Sequence, residues 1–276
     1  MIDFCHISPT PHLGTFCRHQ THHLLLAHLV ESDQAYADWY ANRKKQFPTD
    51  VYILDNSAFE MYKQGQPMYP SDKLVEMGQR VSADYIVMTD YPGMPGSKTI
   101  EAAEQLAPKF REAGFGTFFV PQSEIGDLAD YVDTFGWASG SEHVDYIGVS
   151  ILGVPNAYGV ERDNKLQRFM SRWRMMDELR DRGILHNASL CNKKIHFLGM
   201  VDGPREIQLV RQHRIHTWDS SAAVWAGLNG IVFDNSPTGL INGKFEKEVD
   251  FDFYTESVQL TADAIFNCNF IDNLCI

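Results

Sequence analysis

What most constrains this chain is a repetition of element type without any repetition of sequence. Eight short apolar, β-branched or aromatic runs recur with helix-like segments between them: Ile2–Ile7, His23–Val30, Val51–Leu54, Tyr85–Thr89, Thr117–Pro121, Asp145–Ser150, Lys194–Gly199 and Ile215–Trp218. A short apolar run bounded by turn formers reads as a buried strand, and strands that alternate with helices build a parallel sheet covered on its faces. Eight such units within the first 230 or so residues predict a closed (β/α)8 (TIM) barrel. An open doubly wound sheet is the other arrangement that the alternation allows.

The helices expected between the strands are Ser32–Gln46, with a serine as N-cap, then Ser71–Val81, Thr99–Ala113, Glu124–Phe135, Arg162–Arg182, Pro204–His213 and Ser220–Ala226. After Gly230 the pattern changes. Turn signals at Asn235-Ser236-Pro237 and Asn242-Gly243 between strand-like runs predict an appended hairpin, and the last twenty or so residues predict a closing helix. The expectation is one barrel domain over residues 1–276.

Several function classes lose support. No apolar run approaches the roughly 20 residues that span a bilayer, and "MIDFCHISPTPH" is not a secretory leader, so a cytoplasmic protein without a membrane partner is expected. Five scattered cysteines (Cys5, Cys17, Cys191, Cys268, Cys275) predict reduced thiols. His19, His22 and His23 lack the companion ligands of a metal site, and neither "GMPG" nor "GFGTFF" has the order of a dinucleotide fingerprint. Neither metal nor cofactor is expected. The formal charge of −12 argues against a surface generally coated by nucleic acid, but residues 161–214 carry 12 Lys/Arg against 7 Asp/Glu.

In an α/β barrel the active site is built at the C-terminal ends of the strands, so polar residues that end apolar runs are the candidates. Here they are Asp55 in "VYILDNSAFE", Asp90 in "DYIVMTDYPGMP", Gln122 in "TFFVPQ", Ser150 in "DYIGVS" and Asp219 in "HTWDSS". Each alone fits a helix cap. Together they put three carboxylates and a glutamine at one mouth, a set suited to acid/base and nucleophilic chemistry.

The blocks that hold these residues resemble those of the tRNA-guanine transglycosylases. "HFLGMVDGPREIQLVRQHRIHTWDSSAAVWA" is similar to that family's H-L-F-G-x-G-x-P, helix, F-D-S-A-x-Y-A-L-Y-A, and "LDNSAFE" is similar to its S-D-S-G-G-F/Y-Q. "DYIVMTDYPGMP", "VPQ" and "YIGVSILG" resemble its D-I-P-x-P, V-Q-G and I-G-G-L-A-V-G; the blocks lie in family order over residues 50–230. The resemblance implies a pentosyltransferase that swaps a guanine for a 7-deazaguanine base at a nucleoside. By it Asp219 is the nucleophile and Asp55 the group that shuttles the proton. Asp90 and Gln122 read the polar edge of the base, and Phe59 and Leu198, with Gly199 beside the latter, sandwich its ring. Gly148 and Ser150 then flank its amide edge.

Two departures from the family pattern matter, the first for the expected substrate and the second for the base contacts expected at β6. The C-x-C-x-x-C zinc motif of the bacterial tRNA enzymes is not found after Asp219, and Val149 replaces a glycine. A zinc-free barrel of this length most resembles the DNA-acting branch of phages and bacteria, which inserts bases such as 7-cyano-7-deazaguanine. DNA carrying an exposed or flipped guanosine and a free 7-deazaguanine base are the expected partners. Arg162, Lys165, Arg168, Arg172 and Arg174 are expected to contact its phosphates. The same exchange on tRNA, or an N-glycoside hydrolase on the same barrel, are the competing expectations.

Overall fold

In the structure, a computed structural model that describes residues 1–185, 193–200, 203–240 and 248–276, all eight expected strands form. They are β1 (Asp3–His6), β2 (His22–Leu26), β3 (Val51–Asp55), β4 (Tyr85–Val87), β5 (Gly116–Phe119), β6 (Tyr146–Ser150), β7 (Lys194–Leu198) and β8 (Thr217–Ser220). Every pairing is parallel, in the order β1-β8-β7-β6-β5-β4-β3-β2, and β1 and β2 at the two ends of that order are neighbours. The result is a nearly closed (β/α)8 barrel. Its strands are short and almost wholly buried, as expected of a parallel sheet whose outer face is covered by helices.

The helices are α1 (Leu13–Phe16), α2 (Ala27–Ser32), α3 (Gln34–Gln46), α4 (Ala58–Gln64), α5 (Ser71–Val81), α6 (Gly96–Glu112), α7 (Leu128–Gly140), α8 (Gly153–Ala157), α9 (Lys165–Asp181), α10 (Glu206–Val210), α11 (Ala222–Leu228) and α12 (Val258–Cys275). Three depart from expectation. The run after Leu26 leaves the sheet and becomes α2; an apolar tetrapeptide such as Ala27–Val30 is buried equally well in either state, so alternation cannot decide it. The cap of α3 is Asp33, whose carboxylate accepts the Tyr36 N–H at 3.1 Å, because the Ser32 hydroxyl instead donates back to the His28 carbonyl at 2.6 Å. Helix α7 starts at Leu128, with Asp127 as cap, after a turn that places Gly126 at φ 84°.

No hairpin follows the barrel among the described residues. Asn235-Ser236-Pro237 does form a turn, closed by Ser236 N–H to the Asp234 carboxylate (2.7 Å) and Asp234 N–H to the Gly239 carbonyl (2.9 Å), but no strand flanks it. Asn242-Gly243 lies outside the described residues. The closing helix α12 is present and packs on α11. There Gly227 admits the crossing: a Cβ on it would stand 2.2 Å from the Ala264 backbone. Asn267 completes the joint by accepting the Phe233 N–H (2.7 Å) and donating to the Ala223 and Ile231 carbonyls (3.2 and 2.9 Å). Among the described residues no helix is long and apolar enough to cross a membrane.

Candidate active site at the carboxyl ends of the strands

Parallel strands with a common direction bring their carboxyl ends to one mouth, and a period of two decides which side chains enter the barrel. On β7 and β8 the alternation sends His196, Thr217 and Asp219 inward and leaves Phe197 and Trp218 outside. The ring packing agrees: the His196 ring meets the inward Phe118 edge-on, whereas Phe197 and Trp218 pack together beneath the Arg172 guanidinium. On β6, Gly148 lets Phe118 and Leu198 pack against the strand, since a Cβ there would stand 2.5 Å from Phe118 and 2.8 Å from Leu198.

Asp219 does not cap α11, the Ser220 hydroxyl accepting the Ala222 N–H instead at 3.0 Å. Its Oδ1 receives two hydrogen bonds, from His196 Nε2 at 2.8 Å and from the Gly199 N–H at 3.3 Å. His196 is fully buried, and its other ring nitrogen, Nδ1, meets the Thr217 hydroxyl at 2.7 Å. Because a carboxylate only accepts, Nε2 carries a proton toward Asp219.

Asp55 ends β3, with its Oδ2 on the Ser57 N–H at 3.0 Å. Ser57 is buried at φ 55°, a left-handed conformation that costs a non-glycine residue of order 1 kcal/mol or more. It is held by that N–H and by its hydroxyl, which contacts His28 Nδ1 at 2.9 Å. Part of Asp55 opens to the mouth, yet lost hydration is the largest influence on its carboxyl and pushes it well above the usual carboxylate range. The negative charges of Glu60, Asp219 and Asp90 push the same way, against the Ser57 N–H. The charges of Asp219 and Asp90 are thus felt by Asp55 at the same end of the barrel.

Asp90 and Gln122, both buried, form the third part of the mouth. Burial also raises the Asp90 carboxyl, while hydrogen bonds from Asn56 Nδ2 (3.1 Å) and Gln122 Nε2 (2.6 Å) oppose that rise. With its amide nitrogen spent on Asp90, Gln122 aims Oε1 at space left by Gly153 and has no hydrogen-bond partner for it among the described residues. A buried acceptor without a donor is costly, and a ligand N–H would complete it.

Other expected site residues take varied places. Ser150 behaves as a helix cap, its hydroxyl accepting the Leu152 and Gly153 N–H groups at 3.0 and 3.4 Å. Phe59, 42% exposed, stands on the first turn of α4, and Leu198 and Gly199 are half-buried at the end of β7. Arg162 and Arg174 are exposed, and Lys165 and Arg168 half-buried, along α9 and the turn before it. This helix begins at the mouth because it follows β6 and runs back antiparallel to it. Arg174 lies 4.4 Å over the Tyr158 ring.

Arg172 corrects the expectation of a phosphate contact. It is fully buried, and all five of its N–H donors are used: two on the Glu206 carboxylate, both at 2.7 Å, and three on the carbonyls of Val149, Leu198 and Gly199 at 2.9–3.1 Å. The chain folds this way because carbonyls at the ends of β6 and β7 have lone pairs left over for further donors, and a guanidinium satisfies several at once. Arg172 thus braces the backbone that carries the Gly199 N–H.

Three residues of the mouth went unnoticed in the sequence. His196 carries the signal of a polar residue at an inward position of an apolar strand, and Asn56 and Glu60 lie beside Asp55 in "LDNSAFE". Among the described residues, no set of three or more His, Cys, Asp or Glu side chains is placed to hold a metal. His22 and His23 point to opposite faces of β2, toward Asp3 (3.6 Å) and Asp50 (3.5 Å). No protein-family model and no curated protein matches the chain. Fold and site together define a (β/α)8 barrel with an acidic, partly dry mouth.

Proposed function

We propose that this protein is a guanine transglycosylase that exchanges guanine in DNA for a 7-deazaguanine base through a covalent bond between Asp219 and deoxyribose. The observation that carries the reading is the division of labour among three acids at one end of the barrel. Asp219 has one oxygen fixed by N–H donors and faces the lumen, whereas lost hydration and neighbouring negative charges push the Asp55 carboxyl well above the usual carboxylate range. Carboxylates whose environments drive them apart in this way supply a nucleophile and an acid in one site.

In the first step an Asp219 oxygen bonds to C1′ as the C1′–N9 bond breaks. The electron pair leaves with guanine, which takes the Asp55 proton. In the second step the incoming base gives its N9 proton back to Asp55, attacks C1′, and returns the bonding pair to Asp219. Asp90 and the buried Gln122 Oε1 would supply acceptors for ring and amino N–H groups of a guanine-like base. Phe59 and Leu198 offer apolar surface for the two faces of its ring. The cationic start of α9 at the mouth supports a polyanionic substrate.

The test is incorporation of labelled guanine or 7-cyano-7-deazaguanine into DNA and, in parallel, into tRNA, together with a search for a denaturation-resistant adduct. Incorporation into DNA with an adduct that vanishes in Asp219→Ala is expected. Incorporation into tRNA alone would replace the substrate, and base release without incorporation would replace exchange with hydrolysis.

A further inference from the structure

The proposal concerns His196 and rests on the transglycosylase reading. The Asp219 carboxylate is held asymmetrically: Oδ1 takes both the His196 Nε2–H and the Gly199 N–H, while no donor among the described residues reaches Oδ2. We infer that Oδ2 is the atom that bonds to the sugar, and that the His196–Gly199 cradle on Oδ1 positions Asp219 and promotes its release when the second base attacks.

The chemistry follows from where charge sits. Donors on Oδ1 stabilise a full negative charge more than they stabilise the carbonyl oxygen of an ester. When Oδ2 attacks C1′ that charge is spent, so the cradle gives the first step no advantage beyond orientation. When the Oδ2–C1′ bond breaks and its electron pair returns to Asp219, the charge reappears on a group already surrounded by fixed donors, which need no reorganisation. Asp219 is therefore tuned as a leaving group. His196 suits this because it is fully buried and its ring is held at both nitrogens, Nε2 by the Asp219 carboxylate at 2.8 Å and Nδ1 by the Thr217 hydroxyl at 2.7 Å. Second partners of this kind orient a functional imidazole and fix its tautomer. The Gly199 N–H is held in turn, since the Gly199 carbonyl accepts from Arg172 (2.9 Å) and from Trp218 Nε1 (2.7 Å).

The experiment compares His196→Phe, which removes the donor and keeps a ring, with His196→Gln, whose amide N–H falls near the site of Nε2. Rapid-quench single turnovers on guanine-containing DNA would follow guanine release and base incorporation separately. In His196→Phe incorporation is expected to slow by about tenfold to a hundredfold, the range for one charge-assisted hydrogen bond, while release slows far less and the adduct accumulates. His196→Gln is expected to restore incorporation to within a few-fold of the wild type. Equal loss of both steps, or no rescue by glutamine, would overturn the proposal.

A measurement on the unaltered protein guards against misfolded variants. Nitrogen-15 shifts of the His196 imidazole, assigned by their loss in His196→Gln, are expected to show the neutral Nε2–H tautomer, and an Nδ1–H tautomer would overturn the cradle. If the wild type forms no adduct with DNA or tRNA, the transglycosylase reading fails and with it the leaving-group role. The tautomer still reports whether the cradle exists.

Discussion

Asp55 gives the site a pH signature that can be checked without substrate. An acid raised in the folded state binds its proton more tightly when folded. Its stabilising contribution is complete below the unfolded value of about 3.9 and is lost as pH rises through the elevated folded value. Asp55→Asn should therefore melt higher than the wild type near pH 8, by about 2–4 °C for each kcal/mol relieved, and should lose that margin near pH 4 in calorimetric scans. A margin that is the same at both pH values would contradict it. Arg172 makes the opposite case. Arg172→Met takes the guanidinium away from a fully buried Glu206 carboxylate and should cost about 3–5 kcal/mol in urea unfolding. Adding Glu206→Met should recover part of the loss and leave a deficit, because the Val149, Leu198 and Gly199 carbonyls each still lack the guanidinium donor they had. Asp55, Asp90 and Asp219 were legible as candidates because they end apolar runs. The burial of Arg172 was not, since an arginine among eleven other charged side chains of residues 161–182 reads as part of a solvated face.

At the scale of elements, the joint between α11 and α12 is the most sharply specified contact outside the barrel. Gly227→Ala brings a methyl onto the Ala264 backbone, which cannot move without lifting α12 off β1 and α11, and should lower stability by about 1–3 kcal/mol by urea midpoint. A neutral effect would mean that the helices do not cross there. All eight strands were visible from their composition, and α5 from its ends, Ser71 and Val81. The elements that eluded the sequence are short ones, among them α4 and α8 at the mouth. Neither spans more than two turns, so neither shows a helical period, and α4 begins at a left-handed Ser57 that local preference disfavours.

For the whole molecule, a charge of −12 and a basic segment must coexist on one surface. If the start of α9 meets a nucleic acid, replacing Arg162, Lys165, Arg168 and Arg174 with glutamine should reduce the slope of log K against log salt by about 0.9 for each phosphate no longer neutralised. The measurement is binding across a salt series, and an unchanged slope would move the polyanion elsewhere. Arg172 is excluded from that set because no phosphate reaches it.

By itself the sequence determined the layout: which runs form strands, that strands alternate with helices, and that acids sit at the carboxyl ends of β3 and β8 and just past β4. Those properties are local, written in apolar spacing and in the residue that ends each run. Only the tertiary structure decided which groups meet. His196 reaches Asp219 across 23 positions, Gln122 reaches Asp90 across 32, and Arg172 reaches Glu206 across 34. Such pairings come from strand register and the closing of the sheet, and no short window of sequence contains them.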